Sequence, residues 1–313
     1  MMSGEKSKSS GEYGEKLADA FLAAIGWKQG LKSLAIPCTS SKHIGSGGEP
    51  RNSHGDDVVF VYNNPFYDSR TDVIHVSVKN NIGGYDSREN KLRSSLKRYV
   101  AEANEIIECA QHDAQLHQIL ASFNGRKRKD HSGLLIWTSS HNDSVTRDIL
   151  SSLAGLKGLG DECTKNVYVV DGARIDFILS VVAHAKKEQG AASSFYYPET
   201  GLVNKSDERH GSFLPLELVV ADLLPIKVDV NGEERLYVYV NQPFDRSCYT
   251  RAIALALSFT GGWCREIKVG FPDYNAAQHA TDAAAAKLPF DGRLKKISPF
   301  SFVASNLNAL ETD

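Results

Sequence analysis

GDDVVFVYNNPFYDSRTDVIHVSVKNN, residues 55–81, sets an acidic pair, a hairpin and a lysine-tipped strand in immediate succession. Residues 58–62 and 73–78 are β-branched and aromatic runs, and Asn63, Asn64, Pro65, Asp68 and Ser69 between them are loop formers, so two neighbouring strands are predicted. Alternation along the second strand sends Ile74, Val76 and Val78 to one face and His75, Ser77 and Lys79 to the other. A first strand that brings Asp57 close to Lys79 lets a carboxylate hold a divalent cation while the ammonium steadies a pentavalent phosphate and the attacking water.

Toward the N-terminus, Leu17, Ala20, Phe21, Ala24 and Ile25 recur at helical spacing over residues 12–27, and Gly26 ends the helix. At about 100° per residue, Glu15 falls beside Ala18 and Leu22 on the edge of the apolar stripe and can reach inward, whereas Glu12 points away. Residues 37–55, PCTSSKHIGSGGEPRNSHG, are polar and glycine-rich and read as a loop. Lys42, His43, Arg51 and His54 in it are either phosphate contacts or plain solvated loop residues.

This order of motifs resembles the PD-(D/E)XK nuclease superfamily: a helix carrying Glu, then an Asp on a strand, then a strand ending in x-x-Lys. Gly11-Glu12-Tyr13-Gly14-Glu15-Lys16-Leu17-Ala18 is similar to the first helix of the archaeal-resolvase and Mrr-like branches. His54-Gly55-Asp56-Asp57-Val58-Val59-Phe60 is similar to the His-Gly-x-Asp-x-x-Phe segment of phage-defence members, which points to Asp57 rather than Asp56. The resemblance covers roughly residues 11–190. It implies that Glu15, Asp57 and the Val78 carbonyl hold Mg²⁺ or Mn²⁺, and that Lys79 is the electrostatic and water-orienting group. Ser77 stands where the family carries its second carboxylate, and a serine hydroxyl is a poor ligand for a hard cation. Two readings follow. Either Glu15, Asp57 and the Val78 carbonyl suffice, or the chain is a catalytically degenerate DNA-binding or scaffold subunit of a defence complex. Asp72, before the second strand, lies too far from Lys79 to be preferred. The activity implied is metal-dependent endonucleolytic hydrolysis of DNA in prokaryotic anti-phage defence, beside a companion protein, as in two-gene GAPS-like systems.

Downstream, residues 80–85 form a Gly-Gly turn, and residues 86–123 read as one long or once-broken amphipathic helix with Arg88, Lys91, Arg93, Lys97 and Arg98 on its polar face. NGRKRKDH, residues 124–131, is a basic loop. Arg88 and Lys91, with Arg126, Lys127, Arg128 and Lys129 of that loop, are the expected DNA-backbone contacts. A strand over 133–139, a helix over 144–156, a strand over 167–171 and a helix over 175–187 complete the run. The fold class expected is α/β: a three-layer restriction-endonuclease-like core, a mixed sheet between helices, over residues 11–190 after a flexible tail at 1–10. Residues 191–212 read as a linker. Residues 213–313 read as a smaller C-terminal α+β domain, with strands near 216–230, 235–241, 266–271 and 297–304 and helices over 246–259 and 275–287. It has no catalytic constellation, and a companion protein, a second copy of the chain or DNA is its expected partner.

Composition restricts the alternatives. A formal net charge of −2 excludes a globally basic nucleic-acid binder, so phosphate contacts must come from a local patch. The five cysteines, Cys38, Cys109, Cys163, Cys248 and Cys264, show no C-x-x-C and no histidine at zinc-finger spacing. Each is expected to be a small buried hydrophobe in a reducing cytoplasm, and structural zinc is not expected. No run of about 18 apolar residues exists, so no membrane span is predicted.

Overall fold

The computed structural model describes residues 2–45, 47–141, 145–155, 163–189, 193–199, 209–230, 232–260, 263–290, 292 and 295–303. The chain divides into two units, Met1–Asp176 and Phe177–Asp313, so the division falls upstream of the expected linker.

The first unit contains α1 (Met2–Ala24), β1 (Leu31–Pro37), β2 (Ser53–Asn63), β3 (Arg70–Asn81), α2 (Glu89–Ala110), α3 (Ala114–Ala121), β4 (Arg128–Ser139) and β5 (Val167–Asp171). Its sheet runs β1-β2-β3-β4-β5. β1, β2 and β3 pair antiparallel, and β3, β4 and β5 pair parallel. The hairpin joining β2 to β3 turns on Asn64, whose N–H donates to the Arg70 carbonyl at 2.9 Å and whose Oδ1 accepts the Phe66 N–H at 2.8 Å. A parallel neighbour for β3 requires a crossover, and α2 and α3 provide it. The helical run breaks at Asp113, which caps α3 by accepting the Leu116 N–H at 2.6 Å.

Both faces of this sheet are covered by helices. On one face, Leu92, Leu96 and Val100 of α2 pack with Leu135 and Trp137 of β4. Leu135 and Trp137 are fully buried, and each contributes about 1.5–3 kcal/mol relative to an exposed side chain. On the other face, α1 ends in a Schellman motif: Gly26 has φ 89°, its N–H donates to the Ala23 carbonyl, and the Trp27 N–H donates to the Leu22 carbonyl at 2.8 Å. That turn drops Trp27 onto Phe60 of β2, ring centroids 4.7 Å apart. The result is an α/β sandwich with a mixed sheet between helices.

The structure adds two local features to this unit and corrects one expectation. α1 begins at Met2, so backbone helix occupies most of the stretch read as a tail; its Glu, Lys and Ser residues carry helix at modest cost in propensity. β1 is a strand that the sequence hides, because Ser33, with φ 53°, interrupts its alternation. In place of a helix over 144–156, the described residues hold a single 3-10 turn, Ser151–Leu153. The buried Asp171 carboxylate explains this: its Oδ2 accepts the N–H groups of Ile149 and Leu150 at 2.9 and 3.1 Å, bonds that a continuing helix would make internally. Residue 144 and residues 156–162 lie outside the described residues.

The second unit takes in the greater part of α4 (Gly172–Gln189), then β6 (Ser193–Tyr196), β7 (His210–Gly211), α5 (Leu216–Val219), β8 (Leu223–Val230), β9 (Glu233–Val240), α6 (Arg246–Thr260), β10 (Glu266–Phe271), α7 (Ala276–Lys287) and β11 (Lys296–Ser301). Its sheet order is β11-β10-β9-β8-β6-β7. β9, β10 and β11 are parallel, linked through α6 and α7, and the remaining pairs are antiparallel. Tyr249, Ile253 and Ala256 of α6 pack with Leu236, Val238, Ile267 and Val269 of the sheet. Residues 216–219, expected as strand, are one helical turn. β6 and β7 pair within the stretch read as a linker, of which 191–192 and 200–208 lie outside the described residues. Among the described residues no helix is long and apolar enough to cross a membrane.

Candidate active site

β3 keeps the alternation its sequence dictates. Val78 faces α1, and Lys79 faces α2, where its Nζ donates to Glu102 Oε2 at 2.9 Å and lies 5.3 Å from the centre of the Tyr99 ring. Trp137 of β4 is the register partner of Lys79, and Tyr85 and Tyr99 stand edge-on to it at 5.7 and 5.6 Å. The Lys79 ammonium thus stands at an aromatic wall. The side chains of Lys79 and Glu102 remain 29% and 31% exposed, so the pair is reachable from solvent.

Asp57 lies where β2 loses its alternation. His54 and Asp56 point to the α2 side, where they meet Cys109 Sγ at 3.6 Å and His75 Nδ1 at 2.5 Å. Val59 and Val61 pack toward the same layer. Side chains of both parities on one face mark a break in the alternation between Asp56 and Val59. Pairing with β3 starts at Val58↔Val76, and pairing with β1 keeps one register on either side of Ser33 and Asp57, from Lys32↔Val58 to Leu34↔Asp56. At the break Asp57 turns to β3, and its Oδ2 accepts the Val78 N–H at 2.8 Å. Burial pushes the Asp57 carboxyl above the usual carboxylate range, against the opposing pull of the Val78 N–H and of Lys79.

The other half of the acidic pair is committed elsewhere. Asp56 Oδ2 holds His75 Nδ1, and His75 Nε2 lies 2.9 Å from His131 Nδ1, a chain running through the core. Burial raises the Asp56 carboxyl and, with His75 beside it, pushes His131 down to about 3. Ser77 is 7% exposed on the Lys79 face. Glu15 is exposed on α1, across the sheet from Lys79. Its neighbour Gly14 seats the helix on β3: a Cβ there would come 2.7 Å from Asn80 Cβ and 3.6 Å from Val78 Cγ1. Asp72 holds Asn64 and Arg70 at the hairpin, seven residues and about 23 Å down the strand from Lys79.

The carboxylate that sequence reasoning missed is Glu102. One signal for it exists: Glu102, Glu105 and Glu108 recur at helical spacing along one side of α2.

Comparison with protein families matches residues 1–174 to the GAPS4 protein PD-(D/E)XK nuclease domain. The chain belongs to this family. No curated protein and no solved structure matches it. The GAPS4 nuclease domain thus spans α1 through β5, the α/β unit just described, and stops short of the second sheet. Within it Asp57 and Lys79 stand on the antiparallel pair β2 and β3, and Ser77 lies two residues before Lys79 on the same face.

The basic residues of this GAPS4 domain fall into separate groups. Arg88 is exposed at the start of α2 and paired with Asp86 at 3.1 Å, and Lys91 is exposed one turn on. Arg98 lies over the Tyr99 ring at 5.0 Å, the ring that Lys79 Nζ also approaches, a placement the sequence did not single out. Arg126 is half-buried, and its Nη1 donates to the Asn64 carbonyl at 2.6 Å and to the Tyr67 carbonyl, bracing the hairpin. Lys127 is exposed, Arg128 pairs with Asp130 at 2.7 Å, and Lys129 Nζ lies 3.5 Å from the Leu120 carbonyl. Since Thr71 pairs with Lys129 and Lys79 with Trp137, this cluster sits eight residues, about 26 Å, along the sheet from Lys79. The structure does not bring it to the lysine.

Proposed function

We propose that the first unit is a Mg²⁺- or Mn²⁺-dependent DNA endonuclease in which Glu102 supplies the carboxylate that Ser77 lacks. The observation that carries this reading is the Lys79–Glu102 contact, which sets an acid from α2 at the head of the motif lysine. The donor set fits a hard divalent cation: the Asp57 carboxylate, the Val78 carbonyl and the Glu102 carboxylate are all oxygen ligands, and Asp57 is held in a buried position whose cost a cation would relieve. Glu15, exposed on the opposite face of β3, is the less well placed ligand. A cation bound by these groups lowers the pKa of the attacking water and neutralises charge on the scissile phosphate.

The chain's own groups have defined tasks. The Val78 N–H fixes the Asp57 carboxylate in place, so no reorganisation is needed as charge develops. Lys79, its Nζ 5.3 Å from the centre of the Tyr99 ring, presents an ammonium to the phosphate oxygens and the attacking water, while Glu102 keeps it oriented. Arg98, with Arg88 and Lys91 along α2, offers the adjoining backbone contacts; Lys127 and Arg128 serve only a long DNA path. Family membership supports action in defence. The second unit, outside the matched residues, is the part left for a companion protein or a second copy of the chain.

The test is cleavage of supercoiled and linear DNA by the full chain with Mg²⁺, Mn²⁺ or EDTA, beside Asp57→Ala and Lys79→Met. Cutting in either metal, none in EDTA, and a loss of about a thousandfold in both variants are expected. No cutting by the wild type, with no Mg²⁺ binding in calorimetry, would place the chain among degenerate DNA-binding subunits, the reading Ser77 favours.

A further inference from the structure

A second constellation lies beside the first and uses different chemistry. Cys38 follows β1, His43 lies in the loop after it, His54 is in β2 and Cys109 is near the end of α2. Their Sγ, Nδ1, Nε2 and Sγ atoms all fall within 4.8 Å of one another. His43, His54 and Cys109 are buried, and Cys38 is half-buried.

The separations are those of a filled tetrahedron. Zn–S bonds of about 2.3 Å and Zn–N bonds of about 2.0–2.1 Å at tetrahedral angles put S···S at roughly 3.8 Å, N···N at roughly 3.3 Å and S···N at roughly 3.5 Å. The chain has Cys38 Sγ to Cys109 Sγ at 3.9 Å and His43 Nδ1 to His54 Nε2 at 3.2 Å. Three of the four sulfur–nitrogen separations are 3.4 Å for Cys38 to His43, 3.4 Å for Cys109 to His43 and 3.6 Å for Cys109 to His54, and the fourth, Cys38 to His54, lies within 4.8 Å. The sulfurs are far outside disulfide length, which is about 2.05 Å. Thiols are also weak donors and acceptors, so hydrogen bonding alone gives little reason for four such atoms to meet.

The surroundings orient a ligand. His43 Nε2 lies 3.2 Å from Glu108 Oε2, and that carboxylate is in turn held through Oε1 by Asn104 Nδ2 at 2.8 Å and Thr164 Oγ1 at 3.2 Å. A proton on Nε2 leaves the Nδ1 lone pair aimed at the centre, the carboxylate–histidine–metal arrangement of bound zinc.

We infer that Cys38, His43, His54 and Cys109 form a structural Zn²⁺ site of the Cys₂His₂ type. Binding sends one proton from each thiol to solvent and closes all four positions with protein, leaving none for a substrate. Two thiolates and two imidazoles suit zinc and not magnesium, so this site is separate from the oxygen ligands of the proposed active site. Its position gives it a task. His54 precedes Asp57 by three residues on β2, and Cys109 follows Glu102 by seven, two helical turns, on α2. The metal ties together the two elements that carry the active-site acids and anchors the glycine-rich loop between β1 and β2.

The test is the metal content of the full chain, purified without chelator or histidine tag, read by mass spectrometry of the elements. One zinc per chain is expected, and its loss in Cys38→Ser and Cys109→Ser. Cys248→Ser and Cys264→Ser, in the second unit, are expected to keep it. Cobalt reconstitution of the wild type covers the case in which the variants do not fold: intense visible bands of tetrahedral Co²⁺ with thiolate charge transfer are expected, undisturbed by excess Mg²⁺. Substoichiometric zinc with no such cobalt spectrum would overturn the inference. So would a Cys38–Cys109 disulfide in the purified chain, or full zinc in a Cys38→Ser, Cys109→Ser double variant. None of these readouts involves DNA, so they are independent of whether the nuclease proposal holds.

Discussion

Replacing Glu102 by Gln separates the two roles this residue has beside Lys79. Glutamine keeps the size and an acceptor for the Lys79 ammonium, now 2.9 Å from Oε2, and removes only the charge. With side chains 29% and 31% exposed, the ion pair contributes about 0.2–1 kcal/mol to folding after solvent screening. For a unit of this size that is a fall in melting midpoint of about 4 °C at most. Cleavage is affected on another scale, because a missing carboxylate at the reacting centre costs on the order of 10²–10³ in rate, or about 2.7–4 kcal/mol. The assay is the initial rate of plasmid nicking against Mg²⁺ concentration, with thermal melting of the same preparations. A near-native midpoint, a rate at least about a hundredfold lower and a raised half-saturating Mg²⁺ concentration are expected. Glu102→Gln cutting within about threefold of wild type at equal Mg²⁺ would refute the reasoning and leave Glu102 as a mere neighbour of the lysine. Glu15→Gln, run in parallel, is expected to lose less than about tenfold. A larger loss there than in Glu102→Gln would return the second carboxylate to α1.

Gly14→Ala drives a Cβ to 2.7 Å from Asn80 Cβ and is expected to cost about 1–3 kcal/mol, read as a lower urea midpoint; an unchanged midpoint would mean that α1 does not seat there. Arg126→Ala strips donors from two hairpin carbonyls and is expected to lower stability by about 1–3 kcal/mol with little effect on DNA affinity at low salt, whereas a purely phosphate-binding arginine would show the reverse in melting and gel-shift assays. His131 is held down to about 3 when folded, while the unfolded chain protonates it near its ordinary 6.5. The unfolded state therefore binds more protons in that window, and stability is lost as pH falls from about 6.5 toward 3. His131→Gln is accordingly expected to show a smaller drop in urea midpoint between pH 7 and pH 5 than wild type, and equal drops would remove His131 as the cause.

Much of the framework is legible along the chain because it depends on near neighbours. The alternation of β3 puts Lys79 and Val78 on opposite faces with no tertiary information. Gly26 stops α1 because only a residue free to take a left-handed φ closes that turn. Asn275 caps α7 through its bond to the Ala277 N–H. Where local pattern fails, a distant group has intervened. Asp171 takes the N–H groups that a helix near residue 149 would need, and the left-handed φ of Ser33 breaks the alternation that would reveal β1.

What the sequence determined by itself is the α1, β2, β3, α2 framework of the first unit, the faces of β3 and the placing of Asp57 and Lys79 on adjoining strands, because side-chain periodicity and turn chemistry act over a few residues. The tertiary structure alone decided which acid stands at Lys79 and where the cysteines meet. Parallel pairing of β3 with β4 forces the chain through a crossover, and that crossover lays α2 across the sheet. Only then does Glu102 reach the lysine and Cys109 reach Cys38, His43 and His54, contacts made by geometry between elements rather than by spacing within one.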